Sequence, residues 1–472
     1  MKKKLLVLSA AAMVAAAAVP ALAFENEFHG MFRLRGNVTN FQAAGLAGIE
    51  GVGGKVKSNA LLAEDSRTFN VFEQRARLQY IAKASDDLRL VTFFEIDSSW
   101  GDGAYNNGRG VGAGAGGDSV NLETKNVYLD FNIPSTKVNM KLGLQPWSDA
   151  YKGIIFNNDL AGALATAKYD AFTTSAAFFR TYDGGGATTL GKKNVDLYVL
   201  DGKFAVTKDT TLGASYYNVY NDLNTTATQT ENGMTHTVGL NAATKLGIVN
   251  LDAFGLYQFG DTIYDYRTDA GNVGKAKDVS AWAAQIAASA NLGMATVRGA
   301  FLYTSGDDRK DAEESNAFQV VQENVALASP PTWSGQGGNY YSGNMLLLFR
   351  NVVNMDSDQA IVANLNNGNH GVMAGFLGAD FKVNDKFNVV VNAGAAMNAE
   401  KQTVASVKEK EDYLGTEVNL NLNYKLYPNL TATLQGAYLM LGKYYDDRVV
   451  TAGGTEDPAD PYLAGLMFNY TF

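Results

Sequence analysis

The sequence has no cysteine and only three histidines in 472 residues. Disulfides and thiolate metal ligands are therefore excluded, and stability has to come from burial and backbone pairing. His29, His236 and His370 are scattered, so no cofactor or transition-metal site is expected. Positive charge is in deficit, with 39 Lys and Arg against 48 Asp and Glu for a formal net charge of −9. That balance argues against a nucleic-acid partner. After residue 23 no apolar run approaches the roughly 20 residues that a membrane-spanning helix needs. A membrane barrel is not excluded by this, because its strands alternate apolar and polar residues and average out. Proline is scarce at 8, whereas glycine reaches 49 and Tyr and Phe number 24 each. Strands and turns are favoured over helices by that composition.

The amino terminus reads as an export signal. Three lysines lie within Met1 to Lys4, an apolar and small-residue stretch runs from Leu5 to Val19, and Ala21-Leu-Ala23 is a small-x-small cleavage site. Cleavage after Ala23 would leave 36 cationic against 48 acidic residues, a net of −12, on a single domain spanning 24–472.

Along the rest of the chain, residues of alternate parity differ in kind. Val418, Leu420, Leu422, Tyr424 and Leu426 share one face of a strand, against Asn419, Asn421, Asn423 and Lys425 on the other. Val138, Met140, Leu142 and Leu144 oppose Asn139, Lys141, Gly143 and Gln145, and Phe72, Ala76, Leu78 and Tyr80 oppose Glu73, Arg75, Arg77 and Gln79. The connections come in two sizes that alternate. Short turns are expected at 85–87, 134–136, 169–170, 207–210, 246–248, 291–293, 384–386 and 427–429. Long loops are expected at 42–66, 99–120, 146–160, 183–193, 221–233, 261–278, 306–369, 401–413 and 443–460. Eight turns and nine loops join eighteen strands, or sixteen if the weakly patterned stretch 161–181 is not a hairpin. An even strand count with connections sorted by length predicts an all-β, antiparallel, up-and-down transmembrane barrel with short periplasmic turns and long extracellular loops.

The last eleven residues fit that barrel. Tyr462, Ala464, Leu466, Phe468, Tyr470 and Phe472 share one parity, and ten strand rises span about 33 Å, or roughly 25 Å of membrane height once tilted. With the signal peptide and the alternating strands, this ending resembles the homotrimeric porins of Gram-negative outer membranes. A narrower likeness lies in Lys141-Leu-Gly-Leu-Gln-Pro-Trp147 followed by Ile155-Phe-Asn-Asn-Asp-Leu-Ala-Gly162, which resembles a strand end and an inward-folded third loop. The Pro-Glu-Phe-Gly-Gly motif of the best-known general porins is absent, and eighteen strands match sugar-specific porins better than the usual sixteen. The resemblance implies a cell-outer-membrane location among lipid and lipopolysaccharide, a homotrimer, and small hydrophilic solutes as cargo. It also implies that Phe472, with Tyr470 and Phe468, is read by the barrel-assembly machinery.

Such a barrel works by pore geometry and electric field, without catalysis. Arg33 and Arg35 on the first strand and Arg75 and Arg77 on the second have the polar parity and are expected to line the lumen side by side, partly offset by Glu73. Lys141 and Arg298 add positive charge, and Glu95, Asp97 and Asp130 add negative charge. In the third loop, Asp149 and Asp159 are expected to face the arginine wall and set up a transverse field; the alternative is an ordinary external loop. Gly112 to Gly117 satisfies G-x-G-x-x-G without a following helix pattern, and the acidic run from Asp307 to Glu314 lacks calcium-loop spacing. The expected function is passive diffusion of ions and small hydrophilic solutes. Alternatives are a substrate-selective channel, a barrel whose long loops, above all 306–369, serve adhesion or envelope binding, and, least favoured, a lipase or protease barrel.

Overall fold

A computed structural model describes residues 25–41, 68–101, 113–116, 122–183, 191, 194–222, 233–262, 268–269, 272–273, 277–311, 313–321, 343–349, 360–362, 364–404, 407–445 and 459–472. The expected signal peptide and the whole of the loop at 42–66 lie outside the described residues. Eighteen strands form the barrel: β1 (Glu25–Thr39), β2 (Phe69–Ser85), β3 (Leu88–Ser99), β4 (Glu123–Asn132), β5 (Val138–Ser148), β6 (Asn157–Lys168), β7 (Phe172–Asp183), β8 (Asn194–Ala205) and β9 (Thr210–Asn221) make the first half. The second half is β10 (Gly233–Leu246), β11 (Val249–Asp261), β12 (Asp278–Asn291), β13 (Ala295–Thr304), β14 (Val372–Lys382), β15 (Phe387–Asn398), β16 (Tyr413–Tyr427), β17 (Leu430–Leu441) and β18 (Tyr462–Thr471). The stretch at 161–181 is a hairpin, so the count is eighteen and not sixteen.

Each strand pairs antiparallel with its sequence neighbour, and β1 pairs with β18 to close the sheet. Closure leaves no edge of unpaired amides facing hydrocarbon. At the seam, Gly30 and Phe472 exchange both backbone hydrogen bonds, at 2.9 and 3.0 Å. A Cβ on Gly30 would stand 2.4 Å from the Phe472 ring, so the terminal aromatic lies where only glycine lets it lie.

The eight short connections fall where the sequence places them, and in five of them a side chain closes the turn. Ser85, Thr136, Thr207, Asn291 and Asn384 each accept a backbone N–H two residues on. At the other end of the barrel, loop 3 (149–156) is shorter than the 146–160 expected, because β5 runs on to Ser148 and β6 starts at Asn157. Loop 7 spans 305–371, loop 8 spans 399–412 and loop 9 spans 442–461.

The apolar parity faces outward. Leu240, Ile286 and Leu377 are 68%, 59% and 70% exposed, with Val418, Leu420 and Leu466 among many others on the same outer surface. A row of rings crosses this surface near its extracellular edge. Tyr216, His236, Phe259, Tyr257 and Trp282 touch in sequence from β9 to β12, with centroids 4.3 to 5.9 Å apart. Such amphipathic rings suit the headgroup level of a bilayer.

Candidate functional site

The lumen has walls of different character. Along β1 to β4 it is charged, and the register explains the pairing. Arg35 stands opposite Glu73, Arg75 opposite Asp97 and Arg77 opposite Glu95. Each faces its carboxylate across one strand spacing, the geometry in which opposite charges support each other. Arg35 donates to Glu73 at 2.6 Å, and Arg75 holds Asp97 in a fork at 2.6 and 2.5 Å. Arg77 binds Glu95, which also lies 3.4 Å from Arg75. Lower on the wall, Arg89 grips Asp130 at 2.6 and 3.0 Å, and Asn139 donates to the same carboxylate. Lys141 is in register with Asp130 and sits 5.6 Å from the centre of the Tyr128 ring.

Arg33 differs from its neighbours. It lies in register between Arg75 on β2 and Asn469 on β18, with Arg35, Arg75 and Arg77 around it. Among the described residues it has no ion-pair partner. The four arginines expected on this wall are thus brought together, and three of them are tied up by carboxylates. Glu95, Asp97 and Glu123 also come within 4.8 Å of one another, but Arg75 and Arg77 neutralise the first two.

Along β15 to β18 the lumen is lined by amides. Asn392 donates to Asn419 at 2.7 Å, Asn423 to Asn388 at 3.1 Å, and Thr433 to Asn423 at 2.8 Å. Arg298 on β13 reaches toward this side, where it binds Asp380 at 2.5 Å and also Asn392.

From β6 to β14 the upper lumen is apolar. Leu197, Val199, Tyr217, Val219, Phe254 and Leu256 point inward and are buried. They are buried because loops lie on them. Loop 3 places Tyr151, Ile154, Ile155 and Phe156 against this wall, all at most 2% exposed. Trp147 packs on Phe156, Phe179 and Tyr217, and Tyr151 meets Tyr217 and Phe254 edge-on. Gly239 makes room, since a Cβ there would be 2.4 Å from the Tyr151 hydroxyl.

One carboxylate shapes loop 3. Asp149 accepts four backbone N–H groups, from Tyr151 at 2.8 Å, Gly153 at 2.9 Å, Ile155 at 2.7 Å and Phe156 at 2.9 Å. Burial pushes this carboxyl up to about 6, against the four donors, which pull it down. Burial likewise pushes the Tyr151 phenol up to about 12. Loop 7 is held by a second carboxylate, Glu417 on β16, fully buried, which accepts the N–H groups of Leu346, Leu347 and Leu348 at 2.7, 3.0 and 2.7 Å. The two loops meet where Val321 donates to the carbonyl of Ile155 at 3.0 Å. Gln258 on the wall exchanges two hydrogen bonds with the backbone of Gln319.

The acidic pair expected to face the arginines is placed otherwise. Asp149 spends its oxygens on its own loop. Asp159 lies on β6 in register with Pro146, one residue out of step with the lumen-facing pair Gln145 and Leu160, and binds Lys125 and Asn126. In the acidic run of loop 7, the Lys277 ammonium lies 3.4 to 3.6 Å from the Asp311 and Glu314 carbonyls and the Asp307 carboxylate, occupying the position a cation would need. The terminal rings stay on the outer face, with Tyr470 and Phe472 stacked at 5.7 Å and Phe468 in register with Leu34. Glu417 and the apolar inner wall were not singled out from the sequence. For Glu417 a signal was present, as it shares the face of Asn419, Asn421 and Asn423.

No protein-family model matches the chain, and no curated protein matches it in sequence. Solved structures do match in shape. Pseudomonas aeruginosa OccK8 (OprE) is 12% identical, with 95% of this chain and 98% of that one aligned at a TM-score of 0.52. Acinetobacter baumannii OccAB1 is also 12% identical, over 94% and 96% of the two chains, with a TM-score of 0.52. Pseudomonas aeruginosa OpdK, solved with vanillate, is 12% identical over 94% and 98%, with a TM-score of 0.51. The chain has the fold of the outer-membrane Occ and Opd porins. Within that porin fold, the described parts of loops 3 and 7 fill the upper lumen on one side and reach the amide wall, where Asn419 donates to the carbonyl of Asn344 at 3.0 Å.

Proposed function

We infer that the barrel is a passive channel carrying ions and small hydrophilic solutes across the outer membrane. The observation that carries this reading is the closed wall of eighteen strands, apolar outside, whose lower lumen presents the partly exposed Arg89, Lys141, Asn388 and Asn423 to water and ions. Neutralised pairs do not trap an ion, and Arg33, which has no ion-pair partner among the described residues, adds positive charge on the β1 to β4 wall that would bias passage toward anions. Purified protein in a planar bilayer should give stepwise conductance proportional to bulk salt. A silent barrel under all conditions would refute the reading.

A substrate-selective channel is the second reading. It is favoured by two loops packed into one lumen and by the likeness in fold to OpdK, which was solved with vanillate. Saturable block of the ion current by one solute class, in a panel of sugars, phosphates and organic acids, would select it over general diffusion. The packing of loop 7 inside the barrel supports permeation over adhesion, since its segments 317–321, 345–349 and 360–362 are buried, although 310, 311, 313, 314 and 316 are exposed. Export through cleavage after Ala23, assembly guided by Phe472 and trimerisation through the apolar outer surface complete the proposal. Each is open to test, by mass spectrometry of the mature chain, by folding of a Phe472-deleted variant, and by the mass of the detergent-extracted oligomer.

A further inference from the structure

Six of the eight strands that descend to a short turn carry a lysine within their last three residues: Lys83 on β2, Lys168 on β6, Lys203 on β8, Lys245 on β10, Lys382 on β14 and Lys425 on β16. All six have the lumen parity. Lys83 is in step with Arg75 and Arg77, Lys168 with Leu160, Lys203 with Leu197 and Val199, Lys245 with Gly239 beneath Tyr151, Lys382 with Asp380, and Lys425 with Asn419 and Asn423. The other parity of the same strand ends is apolar, with Phe204, Leu246, Phe381 and Leu426 exposed on the outer surface. Lysines that served phospholipid headgroups would take that outer parity.

Two of the six are answered by acids beside them. Lys83 lies 3.2 Å from Glu25 and 3.4 Å from Asp86, and Lys382 lies 2.8 Å from Asp385. Lys168, Lys203, Lys245 and Lys425 are exposed and have no ion-pair partner among the described residues. Of the other acids at this end, Asp201 accepts from the Tyr217 hydroxyl at 2.8 Å, Asp130 is held by Arg89, Glu27 lies 3.5 Å from His29, and Asp170 and Asp209 stand in the turns. Thr173 on β7 is in register with both Lys168 and Lys203, so these two are separated by two strand spacings, about 10 Å. That is about one screening length at 0.1 M salt, so their fields overlap. The opposite mouth has the opposite sign, because the described parts of loops 7 and 8 carry nine acidic against five basic residues, a net of −4. Cations around one end of a pore and acids at the other give it a direction.

We propose that Lys168, Lys203, Lys245 and Lys425 form a basic collar at the periplasmic mouth, which binds small multivalent anions of the phosphate type and makes passage through the barrel asymmetric. The asymmetry rests on the channel reading; anion capture by the collar does not. The test records single channels of the full-length protein in planar bilayers at about 0.1 M KCl, with inorganic pyrophosphate added to one chamber and then to the other. Half-block should need about tenfold less pyrophosphate from the collar's side, and the ratio should fall to about one in about 1 M KCl, where the screening length is about 3 Å. A variant combining Lys168→Gln, Lys203→Gln, Lys245→Gln and Lys425→Gln should lose the ratio at low salt. The matching variant with arginine at the four positions keeps the charge and should keep the ratio. Equal potency from both sides in the wild type, or an unchanged ratio in the glutamine variant, would overturn the collar. If the bilayers carry no current, the channel reading falls and calorimetric titration of the detergent-solubilised protein with pyrophosphate decides the collar. Binding that the glutamine variant lacks upholds it; equal binding in both proteins, or none in either, overturns it.

Discussion

The two sides of the upper lumen solve one problem in opposite ways. On β1 to β3, ionised side chains are taken out of bulk water and matched one to one, Arg35 with Glu73, Arg75 with Asp97 and Arg77 with Glu95. On β6 to β14 the wall is apolar, and it is kept dry by polypeptide, with loops 3 and 7 covering Leu197, Tyr217 and Phe254. The covering loops in turn need partners for their own backbone amides, and Asp149 and Glu417 supply them with seven accepted N–H bonds between them. The difference teaches that a carboxylate in this lumen has two uses. Beside an arginine it cancels charge; beneath a loop it organises backbone.

The largest effect should come from breaking the second use. Glu417→Ala leaves three buried N–H groups without an acceptor, and each charge-assisted bond is worth about 1.5–3 kcal/mol. The barrel should lose about 4 kcal/mol of resistance to urea in detergent, and segment 343–349 should leave the lumen, so that unitary conductance rises several-fold. Wild-type conductance in a folded Glu417→Ala barrel would show that loop 7 does not limit the pore. Next in size is Arg75→Gln, which strands a fully buried Asp97 and should cost about 3 kcal/mol by the same assay. Removing a partner this way is costlier than the pair itself is stabilising, so a loss under about 1 kcal/mol would mean that water reaches Asp97.

A smaller effect is tied to pH. The Asp149 carboxyl is held up near 6 by burial, above its ordinary value of 3.8, so between about pH 4 and pH 6 the folded protein binds a proton that the unfolded chain has released. Stability from this group is full below about pH 4 and falls as pH rises toward 6, at up to about 1.4 kcal/mol per unit. Urea midpoints measured across that window should slope downward through this contribution, and Asp149→Asn should remove the slope. If the variant kept the wild-type slope, the linkage would belong to other groups.

How much of this could be read in the sequence follows from which solvent each face meets. Hydrocarbon disfavours polar side chains, so the outer parity of Val418, Leu420 and Tyr424 is plain, and with it all eight turns; the strand count is fixed except at 161–181, where the pattern is weak. The inner face meets three environments, and only the aqueous one leaves a polar pattern. In β12, Val279, Ala281 and Ala283 point inward beneath loops while Trp282 and Ile286 point outward, so both faces read apolar. Loop 3, expected at 146–160, is shorter because the strand continues through Pro146. In fact β4 pairs with β5 only as far as Leu144, so the N–H that Pro146 lacks has no partner to lose on that side. The same overlong loop carried Asp159 off its strand. The arginine cluster was legible from parity; its carboxylate partners were visible as residues, but their matching needed the register.

The smallest expected effect gives the sharpest comparison, because Arg33 and Arg75 are cross-strand partners at one height of the lumen. Each carries one positive charge, and one of them is paired. Arg33→Gln removes a cation without exposing a carboxylate, so stability should stay within about 0.5 kcal/mol of the wild type, as for substitutions that break no named contact. The reversal potential in a tenfold salt gradient should nevertheless move toward cation preference. Arg75→Gln, if enough of it folds to record from, changes the net lumen charge by the same amount and should move the potential in the same direction while costing the stability that Arg33→Gln spares. Equal stability losses in the two variants would show that Arg33 is bound to something structural. An unmoved reversal potential in Arg33→Gln would show that ions pass elsewhere, and the charged wall would then be scaffold and not filter.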